Sequence, residues 1–259
     1  MKKIFQNNFL AAAAMLVLFA ACNKDVTYLA DPVSSDNNAF VKIVHASPNF
    51  ATVWGYADNI NVYNAKSTTV AKINGTTLAY DKYFPTTTNP YFALPAGRQD
   101  FKFCIGGVFL ADSINFYNAS ADLVAGGHYT FVVTDNLKTN GGILLSDAIP
   151  ALDTKTYGLR FVHAITNDTA GKTIDIFSSR NNAVIFTGQA ASSSTDFLTL
   201  NYTTTSDTLI VRRAGTNFEL ARVNGFVPTP GRSYTMLYRG NGAVTLSTGK
   251  PRGVIMYAN

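Results

Sequence analysis

The chain repeats itself. Val41-Lys42-Ile43-Val44-His45-Ala46 returns as Leu159-Arg160-Phe161-Val162-His163-Ala164. Behind it, Ile60-Asn61-Val62-Tyr63 matches Ile174-Asp175-Ile176-Phe177, and Tyr91-Phe92-Ala93-Leu94 matches Phe197-Leu198-Thr199-Leu200. Phe101-Lys102-Phe103 followed by Gly106-Gly107 matches Leu209-Ile210-Val211 followed by Ala214-Gly215. Gly127-His128-Tyr129-Thr130-Phe131 matches Arg232-Ser233-Tyr234-Thr235-Met236, and Leu144-Leu145-Ser146 is set opposite Thr245-Leu246-Ser247. Blocks that recur in the same order mark a duplication of a unit of about 100 residues, with its boundary near Ile149-Pro150-Ala151-Leu152-Asp153.

Each block is a short run of β-branched and aromatic residues with period-two alternation, and Gly, Pro, Asn or Asp punctuates the gaps. Glu219 is the only glutamate, against abundant Thr, Ser, Asn and Gly, a composition poor for helices. The expected fold is therefore all-β: two tandem Ig-like antiparallel β-sandwich modules of about seven strands each, spanning 40–150 and 156–259. A signal peptide (1–21) and a short polar tether (22–39) precede them.

Val44-His45-Ala46-Ser47-Pro48 opens the first copy, with Leu94-Pro95-Ala96-Gly97 and Ala125-Gly126-Gly127-His128-Tyr129-Thr130 downstream. This set resembles the family called domain of unknown function 4397, once per copy. The second copy departs from the pattern, with Ile165-Thr166 in place of Ser47-Pro48 and Pro230-Gly231-Arg232-Ser233 before its Tyr-Thr. The resemblance implies extracytoplasmic, Ig-like β modules and no particular activity.

The N-terminus reads Met1-Lys2-Lys3, an uncharged apolar stretch from Phe9 to Ala21, then Cys22. Such a stretch is too short to span a bilayer, which takes roughly 20 residues, and fits a signal peptide. Ala20-Ala21-Cys22 marks Cys22 as the lipidation site, and a multiply acylated terminus gives stable membrane anchoring. Asn23-Lys24-Asp25 resembles the export tags of Bacteroidota surface lipoproteins. The expected location is the outer membrane, on the cell surface, with the periplasmic face as the alternative. Loss of Lys2 and Lys3 lowers the formal net charge from +5 to +3.

Little in the chain points to catalysis. His45 and His163 share the apolar phase of their strands and read as structural, each bonded to backbone in the following loop. Cys104 lies in the apolar run Phe101–Ile105, reads as a buried small hydrophobe, and has no intrachain partner after Cys22 is lipidated. A zinc site needs three or four converging ligands, and His128 is the only further histidine. No metal or other cofactor is expected. Gly-x-Ser-x-Gly and phosphate-cradling patterns are missing, and Asp58 and Asp175 are not at equivalent positions of the repeat, so both read as turn residues.

Two features suggest binding. The segment 49–59 holds Trp54, the only tryptophan, and Tyr56, which on a loop could stack on a sugar or anchor a protein; the competing reading folds them back over the core. Charge is also uneven: residues 40–150 hold seven basic and seven acidic groups, whereas 157–259 hold ten and five, eight of the ten being arginines that include Arg212 and Arg213. Such a module could dock on anionic glycan or headgroups. Nucleic acid is not expected of an exported protein without recognition motifs. The expected function is a non-catalytic cell-envelope lipoprotein, a glycan- or protein-binding or spacer module. The alternatives are an Asp-dependent extracytoplasmic hydrolase and a pilus-like assembly subunit.

Overall fold

The computed structural model describes residues 34–48, 59–64, 71–73, 77–86, 90–106, 114–134, 141–243 and 250–259. Residues 35–259 form one compact unit, and every regular element described is a strand. The first half holds β1 (Asn38–His45), β2 (Asn59–Asn64), β3 (Ala71–Lys72), β4 (Leu78–Ala79), β5 (Tyr83–Phe84), β6 (Phe92–Pro95), β7 (Gly97–Ile105), β8 (Ile114–Leu123), β9 (His128–Thr134) and β10 (Gly141–Ser146). The second holds β11 (Thr156–His163), β12 (Thr173–Ser178), β13 (Ala183–Ala190), β14 (Ser193–Ser194), β15 (Leu198–Asn201), β16 (Asp207–Arg213), β17 (Glu219–Phe226), β18 (Ser233–Arg239) and β19 (Gly253–Ala258).

Each half contributes two sheets. Sheet β10-β9-β1-β5, with β6 also on β1, packs on sheet β3-β2-β7-β8, which carries β4 on β2. In the second half, β14-β11-β18-β19, with β15 on β11, packs on β13-β12-β16-β17. Pairing is antiparallel throughout except that β1 runs parallel to β9, and β11 parallel to β18. The first strand of each half thus lies in the middle of its sheet. The expected seven strands per module are exceeded because short pieces such as β4, β5 and β6 divide one stretch of chain between the two sheets.

Strand register refines the repeat. Leu144 faces Phe131 across β9 and β10, and Met256 faces Met236 across β18 and β19. Since Phe131 and Met236 are repeat equivalents, Leu144-Leu145-Ser146 corresponds to Met256-Tyr257-Ala258. The expected match to Thr245-Leu246-Ser247, which lies outside the described residues, is corrected. The error arose because those three residues resemble the block in sequence, while only hydrogen-bond register identifies the partner of β18.

Each sandwich has its own core. Val41, Ile43, Ile60, Val62, Phe101, Phe103 and Phe131 fill the first, and Leu159, Phe161, Ile174, Ile176, Val211 and Met236 the second. A third cluster joins the halves and is made of repeat equivalents: Val44 with Val162, Ala46 with Ala164, Val132 with Leu237, and Leu145 with Tyr257. The two central sheets therefore pack face to face, giving a four-layer stack whose middle interface is self-complementary, as in a two-fold dimer. This explains why β1 and β11 are buried along nearly their whole length. Full burial of one such aliphatic or aromatic side chain contributes about 1.5–3 kcal/mol.

The repeated tyrosine fastens the turn before its strand. Tyr129 Oη accepts the Val124 amide at 3.0 Å, and Tyr234 Oη accepts the Thr229 amide at 2.8 Å. Both are tyrosine corners of the kind found in Ig-like sandwiches.

Candidate functional site

Arginine dominates the charge of the second half, and the fold pairs four of its eight arginines with acids. Arg160 is buried against Asp147 at 2.5 Å. Arg239 pairs with Asp81, Arg252 clamps Asp168 through two bonds of 2.8 and 2.7 Å, and Arg222 pairs with Glu219. Asp147 and Asp81 belong to the first half. The positive module inferred from counting is thus partly complementary to acids of its neighbour, and Arg160 is a contact between halves.

No carboxylate among the described residues forms an ion pair with Arg212 or Arg213, as also holds for Arg180 and Arg232, but only Arg212 and Arg213 are adjacent and each stacked on a ring. They are adjacent at the end of β16, so they point to opposite faces of the outer sheet. The Arg212 guanidinium carbon lies 3.6 Å from the centroid of the Phe177 ring, and Nη1 donates to Asn217 Oδ1 at 3.1 Å. Its Nε is buried and meets no acceptor among the described residues. Arg213 stacks on Phe218 at 4.7 Å and donates through Nε to the Ala170 carbonyl at 3.1 Å.

Each arginine lines a cleft. Arg212 shares one of about 340 Å³ with Asp175, Phe177, Asn182, Val184, Thr216 and Asn217. Arg213 shares the other with Thr169, Lys172 and Thr173, and the turn beginning at Ala214 separates them. Asp175 fixes this turn: its carboxylate accepts the amides of Gly188 and Gly215 at 2.7 and 2.8 Å and the Thr187 hydroxyl at 3.2 Å. Burial alone would raise its pKa, but these donors outweigh it and hold the carboxyl below its ordinary value.

The remaining sequence candidates fall elsewhere. Cys22, Trp54 and Tyr56 lie outside the described residues. His163 is buried, donates Nε2–H to the Gly171 carbonyl at 2.7 Å and accepts the Ile165 amide on Nδ1. Burial keeps its pKa below the ordinary histidine value. His45 is buried edge-on to the Tyr80 ring. Cys104 is fully buried, but on the face of β7 turned away from the Phe101 and Phe103 core, beside Asn61 and Tyr63. A bulge between Phe103 and Cys104 accompanies this placement. Burial pushes its thiol up to about 11. Among the described residues, no three His, Cys, Asp or Glu side chains are grouped to hold a metal.

Phe177 was missed at the sequence level. It reads as an ordinary strand aromatic, and only the pairing of β12 with β16 brings it under Arg212.

Two packed sandwiches with a parallel first-strand pairing in each define a tandem β-sandwich protein. The chain belongs to the family described as Domain of unknown function (DUF4397), whose model matches residues 39–172. That match covers the first sandwich and runs on through β11 to the loop before β12, so the likeness of the second copy rests on the internal repeat. No curated protein sequence matches the chain. Among solved structures, the Bacillus anthracis TIE protein aligns at 13% identity and TM-score 0.24, over 78% of this chain and 34% of that one. The chain therefore spans about a third of that protein. A candidate polysaccharide-binding protein (DUF1812) of Bacteroides thetaiotaomicron aligns at 12% identity and TM-score 0.23, over 85% and 96%. A candidate cell adhesion protein of Parabacteroides distasonis aligns at 9% and 0.21, over 86% and 99%. Likeness at this level carries no argument about ligands.

Proposed function

We propose that the chain is a non-catalytic cell-envelope binding module, exported behind residues 1–21 and held on the outer membrane, at the cell surface, by lipid on Cys22. The observation that carries the binding role is the Arg212–Arg213 pair: two arginines fixed by stacking, without carboxylate partners among the described residues, opening on clefts either side of one turn. Preorganised cations on a strand bind an anion with little ordering cost. The ligand is an envelope glycan or a protein. Support for a non-catalytic reading comes from the buried carboxylates. Asp147, Asp168, Asp175 and Asp207 are each held by several donors in structural networks.

The test is a panel of immobilised envelope glycans and surface proteins probed with the Cys22→Ser chain and with Arg212→Ala/Arg213→Ala. Binding that the double substitution abolishes supports the reading; binding that it leaves intact places the contact surface elsewhere. Anchoring is checked separately by metabolic labelling with a fatty acid, which Cys22→Ser must abolish.

A further inference from the structure

We infer that the cleft at Arg212 is a carboxylate-reading subsite for a uronic-acid residue of an acidic polysaccharide, an inference that rests on the binding-module reading above. The internal repeat supplies the first argument. Strand register sets Arg212 at the position of Cys104 and Phe177 at that of Tyr63, since Asp175 faces Arg212 as Asn61 faces Cys104. In the first half this face is closed, with Cys104 and Tyr63 both buried. The same strand, sheet and core are thus built without a cation at this point.

The second argument is the state of the side chain. In register, Arg212 lies between Asp175 on β12 and Glu219 on β17, and neither neutralises it. Asp175 is held by the Gly188 and Gly215 amides, and Glu219 is held by Arg222. The guanidinium stands over Phe177 and is anchored at Nη1 by Asn217; with Nε buried, the end of the group, Nη2 and the second Nη1 hydrogen, is what faces a ligand. A planar fork of fixed orientation matches a carboxylate better than an ammonium does.

The third argument concerns the rest of the ligand. Asn182, Thr216 and Asn217 offer donors and acceptors suited to hydroxyl groups, and Val184, 49% exposed beside Phe177, offers an apolar wall to the C–H face of a sugar ring. Across the turn, Arg213 and Lys172 line the second cleft.

The experiment titrates the full Cys22→Ser chain with oligogalacturonate, its methyl ester, a neutral galactose oligomer of equal length, and polyglutamate. Expected is binding to oligogalacturonate that falls by roughly tenfold or more on esterification, and by a similar factor in Arg212→Lys, which keeps the charge and loses the fork. Arg212→Ala must abolish the preference while keeping the native melting temperature. Wild-type affinity in Arg212→Lys would reduce the site to a generic charge contact and overturn the inference. Equal, Arg212-dependent affinity for polyglutamate would overturn the sugar class in favour of an acidic peptide. Tighter binding of the neutral oligomer, indifferent to Arg212→Ala, would overturn the inference and leave the binding-module reading standing. No binding of any of the four overturns it too, and the wider reading then falls only if the immobilised panel also returns nothing.

Discussion

Lys42 and Arg160 hold the same place in the repeat, and each reaches across the plane between the halves to a group of the other. Arg160 binds Asp147 at 2.5 Å, and Lys42 Nζ donates to the Ala258 carbonyl, next to Asn259, the register equivalent of Asp147. Each cation also stands over the ring of an equivalent aromatic, Lys42 over Tyr91 at 4.9 Å and Arg160 over Phe197 at 4.7 Å. The contact is approximately two-fold, but its charge is not: two buried cations share one carboxylate.

That carboxylate is the first point to test. Asp147 also accepts the hydroxyls of Tyr91 and Thr130 at 2.7 and 2.6 Å. Asp147→Asn should lower unfolding free energy by about 3–5 kcal/mol, the range for a buried pair that loses one partner. Asp100→Asn removes the exposed pair with Arg98 and should change stability by less than about 1 kcal/mol. Urea denaturation of the two variants gives the comparison.

The same cluster gives stability an unusual alkaline profile. Burial lowers the Lys42 pKa from 10.5 to about 8, opposed by Asp147 and reinforced by Arg160. Between these values the unfolded chain holds the proton that the folded chain has released, so stability rises with pH from about 8 towards 10. Above 10 the trend reverses, because burial raises the pKa of Tyr91, Tyr238 and Tyr257, and the unfolded chain loses those protons first. Lys42→Met should flatten the rise between pH 8 and 10 in a melting-temperature series, and leave the fall above it.

These residues show where sequence reading succeeds and fails. The duplication and the strands follow from residue type and period, which act locally; the burial of Cys104 follows from residue type, while its phase sets it on the face away from Phe101 and Phe103. Lys42 and Arg160 do not, because a charged residue at every second position of a strand normally faces water, and only the packing of a second sheet buries it. The partner of Arg160 lies thirteen residues upstream, on the other side of the copy boundary. At the candidate site, Arg212 and Arg213 stand out by charge alone, whereas Phe177 and Asn217 enter through β-sheet pairing and a turn. Four other arginines counted as surface charge turn out to be paired with acids, which composition cannot reveal.

The tyrosine corners predict a matched pair of losses. Tyr129→Phe and Tyr234→Phe each remove one hydrogen bond to a backbone amide and should each cost about 1 kcal/mol, additively since they lie in different halves. Gly127→Ala should cost more than Tyr129→Phe, since a Cβ there would come within 2.8 Å of the Tyr129 ring and 2.9 Å of the Val124 carbonyl. Thermal melts of the three variants rank these effects.

Cys104 should resist modification. Its thiol is fully buried and its pKa is pushed up to about 11, so little thiolate exists at neutral pH. Labelling by a thiol reagent at pH 7.5 should proceed only at the rate of unfolding and accelerate with urea. Rapid native-state labelling would show that this face of β7 opens.

The central claim is that ligand binding resides on the outer sheet of the second half, around Arg212, on a four-layer body that stays rigid. Hydrogen exchange with and without saturating oligogalacturonate addresses it directly. Protection is expected at the end of β16, in residues 214–217 and along 177–184, with the inner strands β1, β9, β11 and β18 unchanged. Protection confined to other segments, or no change anywhere at saturation, would contradict the account.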